Sequence, residues 1–155
     1  MVQGTVRFPT RVYLFYSRFR RGMTLGVRAA VFDREGRVLL VRHSYVKGWY
    51  MPGGGVEPGE ALHEALAREL REEGGLALTG PPRLFSLYWN ARASPRDHVA
   101  LYICREWEQA HAPPRNMEIV DSGFFPRDAL PEETTDATRR RLSEIAGEAE
   151  PTATW

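Results

Sequence analysis

The chain has 155 residues, 43% of them hydrophobic and 26% charged, with a formal net charge of +1. That length suits one domain with a sizeable core, and the composition is that of an ordinary globular protein. The balanced charge gives no basic excess, so no nucleic-acid partner is expected. No apolar run is long enough to span a bilayer, no secretory leader is recognisable, and Cys104 stands alone. Stable membrane insertion and a disulfide framework are thereby disfavoured, and a cytoplasmic protein is expected.

Met1 to Arg21 carries Arg7, Arg11, Arg18, Arg20 and Arg21 and no acid. Val12, Phe15, Tyr16 and Phe19 recur at i, i+3, i+4 and i+7, which predicts a short amphipathic helix over 10–19. The helix is expected to pack on the domain with its arginines in water. Arginine mixed with aromatics also suits a membrane-surface or partner-binding helix, and arginines that help gather a polyphosphate are a third reading. Residues 1–21 are therefore set apart as a basic amphipathic segment, 22–150 as the main domain and 151–155 as a frayed tail.

Leu25–Phe32 and Arg37–Val41 are β-branched, apolar runs separated by Asp33-Arg34-Glu35-Gly36, which predicts a hairpin. Val38–Val41 is continuous rather than alternating, as in a strand buried on both faces. Trp49–Met51 reads as a short strand leading into Pro52-Gly53-Gly54-Gly55, a loop that cannot be helical. Further on, Arg83–Ala91 and His98–Glu106 read as strands joined through Ser94–Asp97. Glu108–Asn116 reads as an exposed loop and Ile119–Phe125 as a last strand. Thr134 or Thr135 can cap a final helix that runs to about Gly147. Strands alternating with two main helices predict an α/β layered domain.

Between these strands Ala61–Glu73 predicts a helix, with Leu62, Leu66 and Leu70 as its apolar face and Gly74-Gly75 as its stop. Glu69, Glu72 and Glu73 share one side of its last turns. There the helix dipole favours cations, and like charges at these spacings repel, each effect costing from a few tenths to about 1 kcal/mol. Local stability gives no reason for the arrangement, whereas a bound cation would; hard oxygen ligands suit Mg²⁺ or Mn²⁺. An acidic helix end paired with Arg68 and Arg71 is the plainer reading of the carboxylates alone.

The stretch from Gly54 to Leu76 resembles the Nudix box, G-x5-E-x7-R-E-U-x-E-E-x-G-U, where U is bulky and aliphatic. Gly54, Glu60, Arg68, Glu69, Leu70, Glu72, Glu73, Gly75 and Leu76 fill every specified position. The resemblance implies the Nudix fold, an α/β (α+β) domain with a mixed β-sheet sandwiched between α-helices and the box as loop-helix-loop. It implies Mg²⁺-dependent hydrolysis, with Mn²⁺ as a substitute, of a phosphoanhydride in a nucleoside diphosphate linked to a group X, with water as nucleophile. By position, Glu69, Glu72, Glu73 and a carbonyl at Gly53 or Gly54 look like metal ligands. Arg68 looks like an orienting partner of box carboxylates, including Glu60 or Glu72. The general base is a box glutamate, Glu69 or Glu73, or a later-loop glutamate, for which Glu118 is the candidate. Arg42 and His43 could face the substrate, and Trp49, Tyr50, Tyr88, Trp89, Phe124 and Phe125 are candidates for stacking a base. Many relatives are dimers, so a homodimer is compatible. The alternative to an enzyme is a catalytically silent nucleotide-binding module, which the undamaged box disfavours.

Signatures of the NADH, coenzyme A, ADP-ribose and diadenosine polyphosphate subfamilies are absent or do not fall clearly on this sequence. The resemblance therefore leaves a nucleoside triphosphate, including an oxidised one, or a nucleotide sugar such as ADP-ribose.

Overall fold

The computed structural model describes residues 8–112 and 118–155, with the backbone alone at 8–11 and 19. In chain order the elements are α1 (Phe8–Arg20), β1 (Thr24–Val31), β2 (Val38–His43), β3 (Trp49–Tyr50), α2 (Leu62–Glu69), a π-helical turn (Leu70–Gly74), β4 (Leu76–Leu78), β5 (Arg83–Trp89), β6 (Asp97–Cys104), β7 (Trp107–Gln109), β8 (Ile119–Phe125), a 3₁₀ turn (Arg127–Ala129) and α3 (Asp136–Ile145). One sheet has the order β1-β6-β5, with β1 parallel and β5 antiparallel to β6. A second has the order β3-β2-β8, all antiparallel, and β4 pairs with β7.

The central strands are apolar on both faces because helices cover both. Val27, Ala29 and Val31 of β1, Leu39 of β2, and Ala100, Tyr102 and Cys104 of β6 pack with Ala65, Leu66 and Leu70 from α2 and its continuation. The intervening residues Ala30, Val38, Leu40, Leu101 and Ile103 form the opposite core with Leu142 of α3. Period-two alternation thus feeds two helical layers from the same strands. Val38–Val41 is buried throughout, as its unbroken apolar run predicts.

Five sequence expectations need correction. The turn at 33–36 forms, with Asp33 Oδ1 accepting from the amides of Glu35 and Arg37 at 3.0 and 2.8 Å. The hairpin expected across it does not: only Phe32 and Val38 bridge, and β1 pairs instead along eight residues with β6. The box helix does not stay α-helical to Glu73 but widens into the π turn at 70–74, ending at Gly75 in the left-handed region (φ 67°). Glu108 and Gln109 belong to β7 (Trp107–Gln109) rather than to a loop, while 113–116 of that predicted loop lies outside the described residues. The fourth is α1: it exists, but it is not packed down as expected. Val12, Tyr13, Leu14, Phe15 and Tyr16, five successive residues covering every side of the helix, are 50–64% exposed. Residues 1–7 of the basic segment lie outside the described residues. Among the described residues no helix is long and apolar enough to cross a membrane.

Nor is the end of the chain frayed. Ala153 accepts from the Trp89 amide, and the Trp155 amide donates to the Trp89 carbonyl, so the tail lies along the edge of β5. Arg141, fully buried, holds it there. Its Nη1 donates to the Thr154 carbonyl (2.8 Å) and its Nη2 to Glu144 Oε1 (2.6 Å) and Thr152 Oγ1 (3.0 Å), with the guanidinium 4.3 Å over the Tyr88 ring. Glu144 Oε2 accepts from the Tyr88 hydroxyl (2.7 Å). Removing one partner of a buried ion pair leaves the other charge unpaired. Arg141→Met is accordingly expected to lower stability by about 3–5 kcal/mol, read as a fall in the urea midpoint at constant slope; a loss under about 1 kcal/mol would mean that the tail is not held through Arg141.

Candidate active site

The glycine loop before α2 is stitched to β1. Val27 and Ala29 amides donate to the carbonyls of Gly54 and Pro52 (2.9 Å each), and the Val56 amide donates to Leu25 (2.8 Å). Gly53 has φ +146°, and a Cβ there would collide with the Val27 carbonyl oxygen. This is a backbone conformation and a closeness that only glycine accepts. A Cβ on Gly54 would collide with the carboxylate of Glu69. The loop therefore carries backbone directly against the end of α2.

Glu73, on the π turn, is 8% exposed, and its Oε2 accepts from the Gly53 amide at 2.8 Å. Burial pushes its carboxyl up to about 7, against the pull of that hydrogen bond and of nearby Arg28. Glu69 is half-buried and is also raised, again chiefly by burial, even though Arg68 Nη1 donates to it at 2.6 Å. Arg68 itself is raised, first by its bonds to Glu60. The two directions reconcile because Arg68 divides its charge: Nε and Nη2 donate to Glu60 (2.9 and 3.0 Å), Nη2 to the Gly55 carbonyl (3.0 Å), and Glu72 lies 3.5 Å from Nη1. One guanidinium thus fixes loop and helix together while leaving Glu69 short of compensation.

Glu72 is exposed and turned to that rim. Among the described residues no three His, Cys, Asp or Glu side chains converge at metal-binding geometry. The structure brings Glu69 and Glu73 to one glycine loop and leaves Glu72 beside Arg68. Gly53 meets this cluster through its amide. Glu118 lies just before β8, where its carbonyl accepts from the Ser44 amide (2.8 Å) and its charge is felt at His43, Tyr45 and Glu73.

His43 is 7% exposed, and its Nε2 is 3.5 Å from Glu73 Oε1. Burial, then Arg28, lowers its pKa from the ordinary 6.5, so the contact is not an ion pair at neutral pH. His63 packs instead on Tyr102, and His111 caps the Ala112 carbonyl. Most of the aromatics considered for stacking are engaged elsewhere. Tyr88 is in the core, Trp89 donates to Pro95, Phe124 stacks on Trp107, and Trp49 packs on Phe125. Tyr50 stays near, edge-on to His43 at 5.9 Å.

Sequence reasoning missed Arg28 and Tyr45. Arg28 donates to the Met51 carbonyl (2.9 Å) and its charge acts on Glu69, Glu73 and His43 together. The signal was available as the one charged residue within the apolar strand Thr24–Val31. Tyr45 packs its ring 5.1 Å from His43 and had no such signal.

Comparison with known proteins agrees with this architecture. The NUDIX domain family model matches residues 22–144. The 8-oxo-dGDP phosphatase of Mus musculus is 31% identical over 134 residues, covering 84% of this chain and 41% of that protein. The NAD-capped RNA hydrolase of Chromobacterium violaceum is 34% identical over 127 residues, covering 79% and 44%. The chain therefore spans less than half the length of these two relatives. Among solved structures, a MutT Nudix hydrolase from Burkholderia pseudomallei superposes with a TM-score of 0.67 at 27% identity, covering 79% of this chain and 97% of that one. An ADP-ribose pyrophosphatase from Streptococcus suis gives 0.64 at 27%, covering 84% and 96%. The chain belongs to the Nudix family.

The raised Glu73 carries a pH signature in protein stripped of divalent ions. Its folded pKa of about 7 lies above the ordinary 4.5, so the folded state binds the extra proton. Its contribution to stability is fully present below pH 4.5 and is lost as pH rises through 7. In chelated protein Glu73→Gln is expected to flatten that fall, with a higher melting temperature than the parent at pH 8 and little difference at pH 4.5. Parallel melting curves at both pH values would show that Glu73 is not desolvated.

Proposed function

We propose that the chain is a Mg²⁺-dependent pyrophosphohydrolase that cleaves a phosphoanhydride bond in a nucleoside diphosphate linked to a group X, using water as nucleophile. The observation that carries this reading is the pair Glu69 and Glu73, two carboxylates raised chiefly by burial at one glycine loop, with the charge of Glu69 raising Glu73 further. Burying like charges side by side costs stability and has no structural return; a divalent cation between them and a polyphosphate supplies one. The donor set is hard oxygen with a neutral imidazole behind it, which fits Mg²⁺ or Mn²⁺. Glu69, Glu72 and Glu73 with the Gly53 carbonyl would hold the ion. When bound, it neutralises phosphate charge, polarises the phosphoryl oxygens and makes bound water more acidic.

The chain's own groups supply position and proton transfer. Arg68 keeps Glu60, Glu69 and the loop carbonyl of Gly55 in one frame, so the loop cannot drift from the helix. The Gly53 amide holds Glu73 Oε2, leaving Oε1 directed towards His43. Arg28 offsets part of the carboxylate charge from the β1 side, where an anionic substrate approaches. Glu118, near enough for its charge to reach Glu73, is the proton acceptor we assign for the attacking water. Phosphoryl transfer needs little beyond such positioning and charge neutralisation.

The relatives named above act on 8-oxo-dGDP and NAD-capped RNA, and the Streptococcus suis neighbour is an ADP-ribose pyrophosphatase. All three substrates contain a phosphoanhydride attached to a nucleoside, which supports that bond as the target here. Incubation with Mg²⁺ and a panel of nucleoside triphosphates, nucleotide sugars and dinucleotides is expected to give a nucleoside monophosphate plus pyrophosphate or phosphorylated X. Glu73→Gln is expected to lower kcat by about a hundredfold or more with an unchanged circular dichroism spectrum. Undiminished turnover would remove Glu73 from the mechanism. Nucleotide binding by calorimetry without product from any substrate would instead make the chain a binding module.

A further inference from the structure

Tyr45 is the most exposed large hydrophobic side chain among the described residues, at 72%. A lone exposed ring is ordinary on a protein surface, but this one is held. Its centroid lies 5.1 Å from that of the His43 ring, tilted by 42°. His43 in turn reaches Glu73, with Nε2 3.5 Å from Oε1. Tyr45 thus stands at the edge of the carboxylate pair, and the charges of Glu73, Glu118, Arg28 and Glu69 all reach its hydroxyl. The loop that shows the ring is braced at both ends. The Ser44 amide donates to the Glu118 carbonyl at 2.8 Å, and the Tyr50 hydroxyl donates to the Lys47 carbonyl at 2.7 Å. Gly48, with φ +107°, then turns the chain into β3. A braced loop that keeps an apolar ring in water forgoes the stabilisation of burying it. A ring fixed before binding, however, loses little freedom when a ligand lands on it.

We propose that Tyr45 is the platform on which the nucleobase of the substrate stacks, with the phosphates directed back past His43 to Glu69 and Glu73. The neighbouring rings are committed elsewhere. Trp49 is covered by Arg42 and Phe125, and Tyr50 is tied through its hydroxyl and stands edge-on to His43 at 5.9 Å. Tyr45 leans on His43 with most of its surface open. A phosphate gains nothing from an apolar ring, whereas every base has a flat π face to lay on it. The platform therefore selects a nucleoside without choosing among bases. It rests on the hydrolase reading for the phosphate chain it serves, but not for its ability to bind a nucleotide.

The test separates ring from hydroxyl and base from phosphate. Full-length parent, Tyr45→Ala and Tyr45→Phe are titrated by calorimetry in Mg²⁺ with the common nucleoside monophosphates and, separately, with inorganic pyrophosphate, which has no base. Tyr45 is exposed, so neither variant threatens the fold. Tyr45→Ala is expected to weaken the monophosphates about tenfold and pyrophosphate by less than about twofold, and Tyr45→Phe to restore the parental affinity. With a hydrolysed substrate, Tyr45→Ala is expected to raise KM about tenfold while kcat stays within about threefold. Monophosphate affinity unchanged in Tyr45→Ala, an equal loss for pyrophosphate, Tyr45→Phe as weak as Tyr45→Ala, or no monophosphate binding to the parent each overturns the platform. So does turnover with KM unmoved in Tyr45→Ala, which leaves the hydrolase reading standing. The expected binding pattern without turnover of any substrate upholds the platform and sinks that reading instead.

Discussion

The site depends on one stitch. The glycine loop runs along β1 as an irregular strand, and the Gly53 amide ties it to Glu73 on the far end of α2. Neither half holds its shape alone. The loop has three successive glycines and so little side chain to pack, and the widened helix end has a carboxylate that meets that amide and His43. Arg68 makes the second crossing between the same two pieces, through Glu60 and the Gly55 carbonyl. The two helical layers then fix where β1 and α2 sit, because Val27 and Ala29 share a core with Leu66 and Leu70. Packing sets the frame, and two hydrogen-bonded crossings set the site within it.

Positive charge is arranged around the carboxylates rather than upon them. Arg68 is committed to Glu60 and only partly to Glu69. Arg28 acts on both carboxylates from the β1 side. A bare acidic cluster would repel an anionic substrate; two cations beside the carboxylates lessen that repulsion. His43, its pKa lowered by burial and by Arg28, meets Glu73 without adding charge of its own.

How much of this was legible in the sequence follows from which forces are local. The box was legible because its residues are fixed one by one by backbone closeness and by charge pairing. Thr135 was legible as a cap because its hydroxyl accepts the amide three residues on (Thr138). The strands β5, β6 and β8 came from alternation and turns. Pairing partners did not, since Val27, Ala29 and Val31 present an equally good ridge to β2 or β6, and only the full set of strands decides. The π turn was hidden because Leu70 to Gly74 has the same local preference for an α turn. Arg141 and Trp155 were hidden for a different reason. An arginine on a polar helix reads as solvated until a distant tryptophan and a neighbouring glutamate are seen to enclose it.

The parallel pairing of β1 with β6 has a kinetic consequence. Thr24 meets Asp97 across 73 positions of chain, whereas β5 and β6 meet across a short connection. Closing the longer loop costs more entropy before any contact rewards it. The β5–β6 ladder can therefore assemble early as a local unit, and β1 docks on it late. Because the glycine loop takes its hydrogen bonds from β1, the loop is shaped only after that docking. Chain that has collapsed but not yet seated β1 carries the box helix without a site, so competence for chemistry arrives with the last strand rather than with the helix that bears the carboxylates.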